Sequence, residues 1–148
     1  MRITVVCDIL GEENNGTTVT TMNLVRSLRA KGHTVNILCC DEDKLGKEGY
    51  FVCPTRSFGP FNGYVRHVGV TLAKPDERTV RAAVECADIV HCMLPFALTK
   101  AAIRMARELD KPVTAGFHCQ AENFSSYVML KNCRPVNNYV YRLFYDKV

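Results

Sequence analysis

Apolar residues along this chain come in short runs, separated by longer stretches in which they recur every three or four positions. The first run, Arg2-Ile3-Thr4-Val5-Val6-Cys7, reads as a buried strand. A polar loop from Asp8 to Gly16 follows it. From Thr17 to Lys31 the spacing is helical, with Val19, Met22, Val25 and Leu28 forming one stripe flanked by Leu24. That stripe is expected to be buried. Asn15 or Thr17 can cap the start of the helix, and Gly32 stands where a left-handed C-cap is wanted. Thr34 to Cys40 returns as a second strand and ends at an acidic turn, Asp41-Glu42-Asp43. Strand, turn, helix and strand in about forty residues make a βαβ unit, the seed of an α/β sheet.

The pattern continues in the same rhythm after an irregular stretch over 44–75. Tyr50 to Cys53 reads as a short strand stopped by Pro54, and Val65 to Leu72 as another. Between them lie turn formers and the aromatics Phe58, Phe61 and Tyr64, which suit ordinary packing under a loop better than a mobile contact loop. Pro75-Asp76 opens a helix with Val80, Val84 and Ala87 inward. Ala87 to Cys92 is a strand with Met93 to Phe96 as its exit loop, and Leu98 to Leu109 is a helix. Pro112 to Phe117 is a strand ending at His118, and residues 121–131 and 136–147 read as helices. The fold class expected is α/β: a Rossmann-like, mostly parallel sheet with helices on both faces. In such a sheet every strand delivers its following loop to one edge. The Gly11–Gly16 loop, the acidic turn, Pro95-Phe96 and His118 should therefore share a rim.

Composition adds limits. At 148 residues with 47% hydrophobic and 23% charged residues, the chain can bury a core and is one domain by size, or a piece of a larger one. The net charge of +4 is spread evenly, with nine basic and seven acidic residues in 1–74 and ten and eight in 75–148. No nucleic-acid partner is expected from that balance, although it permits attraction to phosphates or anionic lipid. The eight cysteines form no C-x-x-C and no zinc-like spacing with histidine, so they read as reduced thiols and no metal is expected. With neither a signal peptide nor an apolar run long enough to span a bilayer, the chain reads as cytoplasmic.

Two places carry candidate chemistry. The first loop, Gly11-x₄-Gly16-Thr17-Thr18, is one residue from a P-loop, which needs Lys where Thr17 stands. Glu12 and Glu13 would repel a held phosphate, so a nucleoside triphosphatase is disfavoured. G-x-G-x-x-G is also absent, which disfavours a nicotinamide dehydrogenase. Gly16 at a helix N-terminus can still favour an anion, and a plain strand-to-helix turn explains it equally well. His118, followed by Cys119-Gln120-Ala121-Glu122-Asn123, could orient a sugar or phosphate, or simply hydrogen-bond a backbone carbonyl. His91 lies within an apolar strand and reads as structural.

Three segments together resemble a known family. Asn15-Gly16-Thr17-Thr18…Asn23-Leu24…Leu28-x-x-Lys31-Gly32-His33-Thr34-Val35 is similar to the opening of the retaining, family-4 type glycosyltransferases. Ala87-Asp88-Ile89-Val90-His91-Cys92-x-x-Pro95-Phe96 resembles that family's "AD-I-V-H…P" strand and loop, and Lys111-Pro112-Val113-Thr114-Ala115-Gly116-Phe117-His118 its "K-P-V…T-x-H" strand. The resemblance implies a fold of two Rossmann-like domains facing a cleft. The N-terminal one is mostly on the acceptor side. The C-terminal one binds the nucleotide-sugar donor and carries a Glu-x₇-Glu motif.

What the resemblance implies for this chain follows. Gly16, with Thr17, would border the donor's diphosphate. His118 would be the catalytic residue, near the transferred sugar. Glu122, Asn123, Pro95 and Phe96 would lie on the acceptor side. No cofactor or metal is implied, the nucleotide-sugar being substrate. Residues 1–148 would be an acceptor-side domain, cut before its natural end, with the donor domain absent and no sugar transfer by this piece alone. The acceptor would be a sugar or a lipid. Peripheral attachment to the inner face of a membrane is open, as is self-association through the apolar last helix. The competing reading is a stand-alone Rossmann-like module that binds a nucleotide or sugar phosphate without chemistry.

Overall fold

The computed structural model describes residues 1–8, 10, 16–57, 59–61, 71–116 and 134–145. Its centre is a five-stranded, wholly parallel sheet: β1 (Arg2–Val6), β2 (Thr34–Cys39), β3 (Tyr50–Val52), β4 (Ile89–Cys92) and β5 (Val113–Ala115). The spatial order is β3-β2-β1-β4-β5. Among the described residues four α-helices accompany it: α1 (Gly16–Ala30), α2 (Glu77–Glu85), α3 (Ala97–Glu108) and α4 (Arg134–Tyr145). Single turns of 3₁₀ helix occur at Glu42–Lys44 and Gly59–Phe61.

Side chains alternate across the sheet and divide the core in two. Ile3, Val5, Cys7, Val35, Ile37 and Cys39 pack with α1 through Val25, while Val6, Leu38, Cys40, Val90 and Cys92 pack with α2 and α3. β1 is buried on both faces, as expected of the middle strand of a covered parallel sheet. Thr4 is its one polar residue past the first, and its hydroxyl donates to the Ala83 carbonyl of α2 at 2.7 Å. A buried hydroxyl thus has its partner, and one helix is fixed to the sheet.

The predicted strands and helices recur with ends shifted by a few residues. Asp76 caps α2 through Oδ2, which accepts from the Thr79 N–H at 2.9 Å. One expectation fails: Val19 is not on the buried stripe of α1 but is 37% exposed, and Thr18 and Thr21 are buried instead. The hydroxyl of Thr21 is accommodated by the helix itself. The Thr21 hydroxyl bonds the Thr17 carbonyl at 2.8 Å and lies 3.6 Å from Cys7 Sγ. That lets small polar residues face the sheet at the first turns. The strand expected over Val65–Leu72 and the helix over 121–131 lie largely or wholly outside the described residues. Ala73 joins Thr55 in an isolated antiparallel bridge.

At the end of α1 the chain turns as expected. The Gly32 N–H bonds the Arg29 carbonyl (3.0 Å), the His33 N–H bonds the Leu28 carbonyl (3.1 Å), and Gly32 has φ +81°. This is a Schellman closure, and it needs a left-handed residue. No described atom lies within 4 Å of where a Cβ on Gly32 would stand, so the cost of a side chain there is purely conformational. Gly32→Ala is expected to lower stability by about 1 kcal/mol, measured by urea unfolding.

Candidate active site

Because all five strands run the same way, their exits share one edge. The chain builds outward from β1 to β2 and β3, then returns to place β4 on the other side of β1. The reversal makes a switch point between β1 and β4, where open α/β sheets form their ligand crevice. α1 follows β1, and Met93 to Phe96 follow β4. Two of the sequence candidates therefore flank the switch point.

Gly16 is the first residue of α1, exposed, with no described atom within 4 Å of a notional Cβ. The first turn carries no acidic side chain. The N–H groups of that turn and the positive end of the helix dipole suit an anion, without carboxylate competition within the helix. Thr17 is half-buried inside the helix rather than at its cap. Pro95 and Phe96 are half-buried. Phe96 is the N-cap residue of α3, cannot cap it with its side chain, and packs into the core cluster on the α1 side. β5 ends beside β4, where the Gly116 N–H bonds the Cys92 carbonyl at 3.0 Å. His118, Glu122 and Asn123, two and more residues further on, lie outside the described residues.

One Glu-x₇-Glu spacing does occur in the chain, at Glu77 and Glu85. Both residues are exposed at the two ends of α2, and Glu85 is ion-paired with Arg81 at 3.5 Å. The spacing belongs to a solvent-facing helix surface, not to the strand exits.

The residue that sequence reasoning passed over is Asp8. It stands two residues past the end of β1 and is completely buried at the switch edge. Oδ2 accepts the Ala73 N–H at 3.2 Å, and the Asp8 carbonyl accepts the Cys40 thiol at 2.9 Å. Oδ1 is buried without a hydrogen-bond partner among the described residues. Desolvation pushes the carboxyl up to about 6 from 3.8, and the Ala73 bond offsets only part of that. The signal in the sequence was an acid set directly against a buried strand's end, which the loop reading absorbed.

The thiols nearby are not nucleophiles. Of the six described cysteines, none in a disulfide, five are buried, and burial pushes Cys39 and Cys92 up to about 12, keeping them protonated. His91, half-buried on β4, shares a hydrogen bond between Nδ1 and Thr114 Oγ1 on β5 at 2.9 Å. Among the described residues no group of three or more His, Cys, Asp or Glu could hold a metal ion, and no helix is long and apolar enough to cross a membrane.

The raised carboxyl of Asp8 sets a direction for pH. Protonated Asp8 favours the folded state, so this stabilisation is complete below pH 3.8 and is lost as pH rises through about 6. The difference is about 3 kcal/mol at most. Asp8→Asn keeps an acceptor for Ala73 without the charge. Its stability relative to the parent should rise between pH 4 and pH 7 by up to that amount, measured by urea unfolding across the range. A constant difference would contradict a buried, raised carboxyl.

No curated protein matches this chain. Among solved structures it is similar to the C-terminal domain of a hydrogenase from Pyrococcus furiosus, with 13% identity and a TM-score of 0.47 over 78% of this chain and 91% of that one. That likeness carries no functional weight. A family model described as Glycosyltransferase Family 4 matches residues 14–148, from the loop before α1 to the last residue. Together with the parallel sheet, that match over most of the chain makes it a member of Glycosyltransferase Family 4.

Proposed function

We propose that this chain supplies the acceptor-side lobe of a retaining glycosyltransferase that moves a sugar from a nucleotide-sugar to a sugar or lipid acceptor. The observation that carries the reading is the switch point, where the N-terminus of α1 and the Pro95-Phe96 segment follow the exits of neighbouring strands β1 and β4. As the bond from the anomeric carbon to the donor phosphate breaks, negative charge collects on the departing diphosphate. The N–H groups at Gly16 and Thr17 are suited to that charge, which grows toward the transition state. Interactions that strengthen in that way lower the barrier, whereas uniform binding would not.

In this reading His118, just beyond the exit of β5, bonds a hydroxyl of the transferred sugar. Glu122, Asn123, Pro95 and Phe96 face the acceptor. No metal takes part, because the helix terminus supplies the positive potential. The donor lobe lies outside these 148 residues, and the work is done in the cytoplasm, where buried thiols stay reduced.

Half of the preorganised site cannot do the chemistry alone. The purified 148-residue chain should release no nucleotide from UDP-, GDP- or ADP-sugars above the buffer rate, and steady turnover would overturn the split-site reading. In the transferase that contains this chain, His118→Ala should lower kcat by about a hundredfold or more. Gly16→Ala, which has room and an ordinary helical backbone, should leave the fold intact and raise the KM for donor.

A further inference from the structure

The net charge of the chain is not spread in space as it is in sequence. Two adjoining hollows of about 560 and 640 Å³ share Pro75 and Ala97. The first is lined by Arg56 and Lys74, the second by Lys100, Arg104 and Arg107 along one side of α3. Glu108 is the one carboxylate among their described lining residues. It is divided between Arg104 at 3.7 Å and Arg81 at 3.6 Å. Five basic side chains and one carboxylate thus line the two hollows, in a chain whose whole net charge is +4.

The fold assembles this trough from three separate segments. At its head, residues 54–56 and 72–74 pair antiparallel: the Arg56 N–H bonds the Leu72 carbonyl and the Lys74 N–H bonds the Pro54 carbonyl, both at 2.8 Å. Along its length Lys100, Arg104 and Arg107 recur at helical spacing, a line of about 10 Å. Its walls include the small side chains of Ala97 and Ala101, so the charged ends overhang a shallow floor. α3 lies on the sheet face opposite α1, so the trough and the Gly16 terminus are different surfaces.

We propose that this trough binds a ligand bearing two or more linked phosphates. A single anion meets only the cations at one end, whereas a chain of phosphates follows the line along α3 and satisfies several in turn. Concavity favours a ligand that enters the trough over a flat charged surface laid across it. The inference rests on the trough's charge and shape and does not depend on the transfer reaction.

The test is titration of the 148-residue chain with orthophosphate, pyrophosphate and tripolyphosphate at low salt, read by calorimetry. Affinity should rise in that order and fall with added salt. Lys74→Gln with Lys100→Gln, both exposed, should weaken tripolyphosphate binding by about tenfold or more. Lys31→Gln with Lys47→Gln removes the same charge from exposed sites elsewhere and should weaken it by less than about threefold. A second arm sediments the chain with phosphatidylcholine vesicles that carry an isoprenoid diphosphate. Retention that tripolyphosphate reverses identifies a lipid headgroup as the source of the phosphates, and no retention identifies a soluble ligand. The proposal is overturned by no tripolyphosphate binding, by equal loss in both double variants, or by binding of single-stranded RNA alone.

Discussion

The whole arrangement depends on the parallel pairing of β1 with a strand on each side. Val5 and Val6 are fully buried, and neither face of the strand meets water beyond Arg2. A strand in that position cannot slip by one residue without turning Thr4 and its hydroxyl away from α2 and moving each apolar side chain to the other core. Register is thereby fixed for β2 and β4 as well, since both ladders are written on β1. Parallel direction then decides where the exits go, and the exits decide where a ligand can be met.

That geometry also explains why polar groups are buried at the edge. Thr18, Thr21 and Asp8 all lie around the place where β1 gives way to α1, and each is almost inaccessible. An apolar side chain at Asp8 would remove a desolvation cost but would leave the Ala73 N–H without its acceptor. The carboxylate ties the end of the central strand to a segment 65 residues away. Its upward shift is the mark of that compromise, made at the edge where the strands of the sheet exit.

Much of this was legible in the sequence because the physics involved is local. Hydrophobic runs of strand length, the glycine after α1 and the aspartate before α2 each express a short-range rule, and β1 to β5, the closure of α1 and the cap of α2 stand where those rules put them. Where periodicity was read without regard to what the helix packs on, it failed. Val19 fits the stripe by spacing, but the helix turns Thr18 and Thr21 inward, where threonine can bond its own backbone. Asp8 was missed for a different reason. Its burial is produced by Cys40 and Ala73, partners that no window along the chain contains. Of the candidate site, Gly16, Thr17, Pro95 and Phe96 fall at the switch edge, while His118, Glu122 and Asn123 lie beyond the described residues.

Charge shows the same limit of sequence reading from the other side. Counted along the chain, basic and acidic residues balance in each half, and no run of Lys or Arg stands out. The clustering is created by crossover topology. β3 leads into the 54–56 segment, the return through 72–74 pairs with it, and α3 is laid beside both because β4 sits next to β1. Asp8 takes part here too, since its bond to Ala73 holds the residue between Leu72 and Lys74. The buried carboxylate that closes the central strand thus also steadies the head of the basic trough. One interaction of a few kcal/mol at most joins the switch edge to a surface that faces another way.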